Sequence, residues 1–155
     1  MLSVSATTRS PRPNEVDGRD YVFLDGDGFQ RMIEEDGLLE WAEVFGNRYG
    51  TPRAFVEQER EAGRHVILEI DVQGAKLVRQ RVGDAVLILL EPPSLDELAR
   101  RLRGRGTESE EKIALRLEEA GRELAQRGIF DHVVVNDDLE RASSQVAAII
   151  DASRS

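Results

Sequence analysis

Three short, nearly continuous apolar runs, separated by helical patterns, constrain the fold of this chain most strongly. They are residues 65–71 (HVILEID), 85–90 (AVLILL) and 132–136 (HVVVN). Runs of this kind are typical of strands that are buried on both faces of a parallel sheet. Apolar residues recur at helical spacing in residues 73–82, 94–103, 108–127 and 139–149. Strands that alternate with helices predict an α/β fold with a mainly parallel sheet.

The remaining elements are predicted from shorter patterns. Residues 1–8, 21–24 and 38–45 are predicted strands, and residues 9–18, with two prolines and Gly18, are a predicted ordered loop. A short helix that carries Phe29 ends at Gly37, and a helix over residues 53–62 has Gly63 as its C′ residue. Capping boxes are predicted for two helices, at Ser94 with Glu97 and at Thr107 with Glu110.

Composition excludes several classes of protein. The formal net charge of −9 argues against nonspecific binding to nucleic acid or to an anionic membrane. The chain has no cysteine, which excludes disulfides, thiolate metal sites and cysteine nucleophiles. No apolar run approaches the ~20 residues that span a bilayer, and no signal peptide is predicted. The expectation is a cytoplasmic enzyme or binding protein.

The first candidate site is a loop that carries hydroxyls and arginines. Ser5, Arg9 and Arg12 lie close together in a proline-stiffened segment, with Tyr21 and Tyr49 further along the chain. A guanidinium can donate two parallel hydrogen bonds to a phosphate, and hydroxyls can complete the shell. The alternative is a surface loop with solvated arginines.

Three carboxylates form a second group of candidates. Glu40, with Thr51 nearby in the sequence, could accept paired N–H donors of a base such as guanine, or it could be an exposed strand residue. Glu69 and Asp71 close a predicted buried strand, where unpaired charge is costly. They could hold Mg²⁺ through water or orient a base or sugar, or they could be ion-paired caps.

A basic segment is the third candidate. Arg100, Arg101, Arg103 and Arg105 precede Arg116 on the next predicted helix, and two glycines between them could act as hinges. A mobile arginine segment suits phosphoryl transfer, although a basic helix face that offsets the acidic chain is the alternative. Ligands of open α/β sheets bind beyond the carboxyl ends of the strands, which favours Asp71, Pro92 and Asn136 as neighbours of the site.

Seven segments, taken in order, carry a resemblance to a known family: SVSATTRSPRP, EVDGRDYVF, LLEWAEVFGNRYGTP, LEIDVQGA, PPS, RLRGRGTE and VVVNDDLE. Together they resemble the guanylate kinase family over nearly the whole chain. The resemblance implies a P-loop NTPase-like, three-layer α/β/α core of the nucleoside monophosphate kinase type. It also implies one domain over residues 1–155, with a GMP-binding subdomain at 9–64, a core at 65–103 and 128–155, and a lid at 104–127.

The resemblance further implies ATP-dependent phosphorylation of GMP, and of dGMP, to the diphosphate in purine nucleotide metabolism, with Mg²⁺ accompanying ATP. By position, the GMP-binding residues are Ser5, Arg9, Arg12, Tyr21, Glu40, Tyr49, Thr51, Glu69 and Asp71. The catalytic lid arginines are Arg101, Arg105 and Arg116, and the ATP side comprises Arg101, Arg105 and Asn136. No residue is predicted to be a protein ligand of a resident metal. The expected partners are GMP and ATP, with no nucleic acid and no membrane.

The sequence departs from the family at its start. The family pattern begins with a strand, a G-x-x-x-x-G-K-[ST] loop and a helix, whereas no Gly-Lys pair occurs in these residues. A truncated or miscalled start with impaired ATP binding, a member that binds GMP without transferring phosphate, and a protein-interaction module are the three readings left open. A smaller departure is Gly28, which is expected to weaken the start of its helix.

Overall fold

The computed structural model describes residues 1–106 and 109–153. The chain divides into two compact units, Met1–Gly83 and Asp84–Ser155, and each is described by itself. Within the described ranges, no helix combines the length and the apolar character that crossing a lipid bilayer requires.

A four-stranded mixed sheet organises the first unit. Its strands are β1 (Ala6–Thr7), β2 (Val22–Phe23), β3 (Leu38–Val44) and β4 (Asn47–Pro52), in the order β2-β1-β4-β3. β1 pairs parallel with β2 and antiparallel with β4, and β4 pairs antiparallel with β3. A two-residue turn joins β3 to β4, and positive φ at both Phe45 and Gly46 gives it the twist that suits a hairpin.

Strand β4 is an element that the sequence did not predict. Its residues NRYGTP include a glycine and a proline and lack an apolar alternation, so the local pattern carries little strand signal. The strand exists because β1 and β3 pair with its two edges. Against this sheet lies a small core formed by Ala6, Phe29 and Leu38, each with 2% or less of its surface exposed.

Three helices complete the first unit: α1 (Gly26–Glu34), α2 (Arg53–Glu61) and α3 (Val72–Arg81). The predicted C′ position of Gly63 is confirmed, since its φ is +73° and its N–H donates to the Arg60 carbonyl. In α1 the left-handed C′ residue is Asp36 rather than Gly37, which takes the next position and donates to the Met32 carbonyl.

Gly28 has a different part from the one expected. Its N–H donates to the Asp25 carboxylate that caps α1, and a Cβ there would lie 2.9 Å from that carboxylate oxygen. The glycine therefore permits a tight N-cap, which offsets the poor helix propensity of glycine.

In its described residues, the second unit contains a two-stranded parallel sheet and three helices. The strands β5 (Ile88–Glu91) and β6 (His132–Val135) pair in parallel. The helices are α4 (Leu95–Gly104), α5 (Glu110–Leu124) and α6 (Leu139–Ala152), with a 3₁₀ turn at Arg127–Ile129. The predicted N-cap of α4 is confirmed, because the Ser94 hydroxyl accepts the Glu97 N–H at 3.1 Å.

Two local predictions need correction. Residues 65–71 form no regular strand: Ile67 makes a single parallel bridge with Leu2, and Ile67 is 43% exposed. Met1 and Ser3 hydrogen-bond to His65 and Ile67, and this short stretch of bonds does not build a ladder along the apolar run. Helix α5 begins at Glu110 with Ser109 as its N-cap, because the Ser109 hydroxyl accepts the Lys112 N–H; Thr107 lies outside the described residues.

Candidate functional site

The arginine-bearing loop of the first unit is held by an ion pair. The Arg9 guanidinium donates to both carboxylate oxygens of Glu15, at 2.9 and 3.0 Å, and both side chains are largely buried. Glu15 also accepts the Arg12 N–H at 2.6 Å. These hydrogen bonds, that from Arg9 above all, lower the pKa of Glu15, while the bond to Glu15 raises the pKa of Arg9.

Aromatic rings border the same arginine. The Arg9 guanidinium lies 5.2 Å from the centre of the Tyr21 ring, within cation–π range. The rings of Tyr21 and Tyr49 meet edge-on with their centres 6.2 Å apart. Ser5 immediately precedes β1, and its carbonyl accepts the Val22 N–H next to Tyr21. The structure thus brings Arg9 and both tyrosines together, with Ser5 and Arg12 on adjoining backbone.

Strand β3 of the hairpin carries a buried carboxylate, Glu40. Glu40 pairs with Thr51 across the β3–β4 ladder, and its side chain accepts the Thr51 hydroxyl at 2.7 Å. Only 3% of Glu40 is exposed and none of Thr51. Burial raises the pKa of Glu40, opposed by the hydrogen bond from Thr51 and aided by the nearby charge of Asp71. The reading of Glu40 as an exposed strand residue is therefore wrong.

The two groups share one strand. Tyr49 and Thr51 are two residues apart on β4, so their side chains leave the same face of the sheet, about 7 Å apart along the strand. A ligand that reaches from Thr51 to Tyr49 meets a buried acceptor at one end and an arginine with two phenols at the other.

The N-terminus of α3 lies close to the Glu40 carboxylate. Asp71 is the N-cap of α3, with one carboxylate oxygen 2.8 Å from the Gly74 N–H. Gly74 allows the helix to approach Glu40 closely, since a Cβ there would lie 2.6 Å from a Glu40 carboxylate oxygen. Glu69 is exposed, so it carries no burial penalty of the kind expected for a strand end. Asp71 thus acts as a cap, while Glu69 extends into solvent.

Other candidates meet within the second unit. Arg101, Arg105, Arg116 and Asn136 line one depression of about 360 Å³, next to Glu91 and Pro92 at the end of β5. Arg101 donates to Glu97 at 2.7 Å and to the Asn136 carbonyl at 2.9 Å, which links α4 to the carboxyl end of β6. Hydrogen bonds from Arg100 first and Arg101 second lower the pKa of Glu97 to about 2.

Two residues that contact the candidate site, Glu15 and Arg81, were not predicted from the sequence. Glu15 follows Arg12 by three residues, a spacing that suits a turn, but nothing in the sequence indicates that it pairs with Arg9. Arg81 donates from the end of α3 to the carbonyls of Leu38 and Leu39, more than 40 residues away in the sequence. No local signal could identify that contact.

Comparison with known proteins decides the family. The guanylate kinase family model matches residues 1–153. The chain belongs to the guanylate kinase family. Members of this family are nucleoside monophosphate kinases, a class of phosphotransferases, so the resemblance inferred from the sequence motifs is confirmed.

Individual relatives within the guanylate kinase family agree. Guanylate kinase of Desulfitobacterium hafniense is 53% identical over 152 residues, which is 98% of this chain and 76% of that protein. Guanylate kinase of Rubrobacter xylanophilus is 55% identical over 148 residues, covering 96% of this chain and 78% of that protein. The crystal structure of guanylate kinase from Anaplasma phagocytophilum is 35% identical, with a TM-score of 0.85 over 99% of this chain and 76% of that one. This likeness confirms the predicted α/β fold class with helices and a parallel sheet, consistent with a P-loop NTPase-like kinase.

Proposed function

We propose that this chain transfers the γ-phosphoryl group of ATP to GMP or dGMP and releases ADP and the nucleoside diphosphate. The single observation that carries the proposal is the buried Glu40 carboxylate, fixed by Thr51 at 2.7 Å. A buried ionisable carboxylate is costly unless it meets matching donors. Guanine offers adjacent N1–H and N2–H donors, which a carboxylate can accept side by side.

The proposal assigns the GMP phosphate to the other end of β4. Arg9 and Arg12 neutralise the phosphate, and hydroxyls of Ser5, Tyr21 and Tyr49 donate to it. Arg9 is preoriented by its bidentate bond to Glu15. Thr51 and Asp71 contact the guanine, and Glu69 is assigned to the same nucleotide by sequence position.

ATP is assigned to residues of the second unit. Arg101, Arg105 and Arg116 neutralise its phosphates, and Asn136 is assigned to the same nucleotide because it lines the same depression as these arginines. A GMP phosphate oxygen attacks the γ-phosphorus while the bond to the β-bridging oxygen breaks, and that oxygen leaves with ADP. The attacking group is already an anion, so no general base is needed and charge neutralisation supplies the catalysis.

The Mg²⁺ that the family implies has no dedicated protein site among the described residues. They contain no group of three or more histidine, aspartate or glutamate side chains placed to hold a metal. They do not fit a site built by protein ligands alone. Mg²⁺ commonly binds through substrate phosphates and water, so the proposal has it accompany ATP, where it offsets phosphate charge.

A second candidate is GMP binding without phosphoryl transfer. The observation that favours it is the lack of a Gly-Lys pair in these 155 residues, because a phosphate loop uses that lysine to reach the β- and γ-phosphates. ATP binding by these residues alone is accordingly expected to be weak. The domain ranges 9–64, 65–103 with 128–155, and 104–127, the cytoplasmic location and the part in purine metabolism stay predictions.

Calorimetric titration of the 155-residue chain with GMP, followed by an ADP-release assay, tests the proposal. Arg12→Ala is the matched variant, because its N–H bond to Glu15 survives while the guanidinium is lost. GMP binding that falls by roughly tenfold or more in the variant supports the site. Binding without ADP release supports the second candidate, and no GMP binding by a folded chain contradicts both.

A further inference from the structure

Strand β3 is irregular where it carries Glu40. Leu38 pairs with Pro52, and Glu40, two residues later on β3, pairs with Thr51, which is only one residue away from Pro52 on the antiparallel strand β4. Leu39 is therefore an extra residue opposite a single step of the partner strand, which is the pattern of a β-bulge. Bulges redirect side chains and are common beside active sites.

The bulge changes which side chains are buried. In a regular strand successive side chains alternate between faces. Here Leu38, Leu39 and Glu40 are 2%, 5% and 3% exposed, so three consecutive residues are buried. Leu39 is the residue that the bulge adds to this buried run, and beyond it Glu40 lies opposite Thr51, one step along β4 from Pro52.

A bulge also leaves carbonyl groups without their usual ladder partners. Arg81 supplies donors from the C-terminal end of α3: its guanidinium donates to the Leu39 carbonyl at 2.6 Å and to the Leu38 carbonyl at 3.3 Å. Arg53 at the start of α2 adds a bond of 3.3 Å to the Leu38 carbonyl. Both Arg81 bonds come from one nitrogen, Nη1, which carries two hydrogens and can serve two adjacent oxygens.

The same helix approaches the carboxylate at its other end. Gly74 lies so close that a Cβ would stand 2.6 Å from a Glu40 carboxylate oxygen. α3 thus contacts β3 both at the carboxylate and at the bulge.

We propose that Arg81 is a positioning residue for guanine recognition, because it holds the Leu38–Leu39 bulge and so fixes the direction in which Glu40 presents its carboxylate. This inference rests on the proposed GMP function. Arg81 acts on Glu40 through the carbonyls of Leu38 and Leu39, and its positive charge also attracts the Glu40 carboxylate directly. Its loss lets the bulge relax, and the carboxylate then no longer meets both N1–H and N2–H.

The test compares GMP with IMP, which lacks the 2-amino group and can offer Glu40 only N1–H. The unmodified chain is expected to bind GMP roughly tenfold or more tightly than IMP, the effect of one hydrogen bond to a charged group. Arg81→Met is expected to reduce this ratio severalfold by weakening GMP much more than IMP. Arg81→Lys keeps the charge but has a single donor nitrogen and no planar guanidinium, and it is expected to give an intermediate ratio.

Lys76→Met is the matched control, since it removes one positive charge from an exposed position on the same helix. Its GMP-to-IMP ratio should equal that of the unmodified chain. Urea unfolding of each variant reports stability separately. An Arg81→Met or Arg81→Lys chain that is less stable but keeps the full ratio overturns the inference, as does an equal change in Lys76→Met. An unmodified chain that binds GMP no better than IMP overturns the proposed guanine recognition instead.

Discussion

The local structure predicts that replacing Gly74 with alanine weakens GMP binding more than it lowers the free energy of unfolding. Alanine within a helix normally stabilises by about 0.5–1 kcal/mol relative to glycine. At this position, however, the new Cβ would lie 2.6 Å from a Glu40 carboxylate oxygen and 3.2 Å from the Ile70 Cβ, where ordinary contacts begin at 3.4 Å. One of the groups has to move.

The carboxylate is the group expected to move, because it ends a side chain whereas the Ile70 Cβ is attached directly to its backbone. A shift of about 0.8 Å restores ordinary contact and would disrupt the 2.7 Å bond from Thr51. A hydrogen bond to a charged group contributes about 1.5–3 kcal/mol, which exceeds the helix gain. The net result is a loss of about 0.5–2.5 kcal/mol in the free energy of unfolding.

GMP binding should suffer more than stability. A displaced carboxylate loses at least one of its two bonds to guanine, so the Kd for GMP should rise roughly 10- to 150-fold. Urea unfolding gives the change in stability, and calorimetric titration gives the change in Kd.

Gly121→Ala is the control for this experiment. Gly121 also lies inside a helix, α5, and a Cβ there meets nothing within 4 Å. This variant should gain about 0.5–1 kcal/mol and keep its affinity for GMP. If Gly74→Ala is stabilised to the same extent and binds GMP normally, the carboxylate is not confined by α3, and the argument for close packing at Glu40 is wrong.

Three further predictions concern carboxylates. Glu40→Gln should weaken GMP binding. Burial raises the pKa of Glu40, so this group favours the unliganded fold most when the pH is below the ordinary pKa of 4.5. It loses this contribution to stability as the pH rises through the raised pKa. Unfolding measured against pH should therefore show a slope in the unmodified chain that is absent from the variant. Glu97 has its pKa lowered from 4.5 to about 2, so its contribution is present above 4.5 and is lost as the pH falls to about 2; thermal unfolding of Glu97→Gln should lack that acid-dependent loss, and an unchanged pH profile would count against the ion pairs. Glu59 is buried beside Arg64, whose hydrogen bond lowers the pKa of Glu59 from its ordinary value of 4.5. Glu59→Gln should therefore lower the unfolding temperature when the pH is above 4.5, and should lower it much less in acid. An equal loss of unfolding temperature at every pH would mean that packing rather than charge is responsible.

Much of the local structure could be predicted from the sequence, because its causes are local. The cap at Ser94 and the left-handed residue after α2 depend on atoms within a few positions of each other. The apolar runs at residues 85–90 and 132–136 predicted the two parallel strands β5 and β6, within a residue or a few of their ends. The motifs were sufficient to indicate the family, and with it the α/β class.

The tertiary structure alone decided which groups meet. β4 exists through its partners, whereas the run at residues 65–71 makes a single bridge, between Ile67 and Leu2, and does not become a strand. Glu40 is buried opposite Thr51 beside the Leu38–Leu39 bulge, and the side-chain donors to this bulge come from Arg53 and from Arg81, which is more than 40 residues away. Hydrogen bonds between distant residues have no signature in a local pattern, since each partner alone is an ordinary surface arginine or strand glutamate. The sequence by itself therefore determined the class, the family motifs and some of the helix ends, whereas long-range pairing decided the depth and direction of the carboxylate on which the proposed specificity depends.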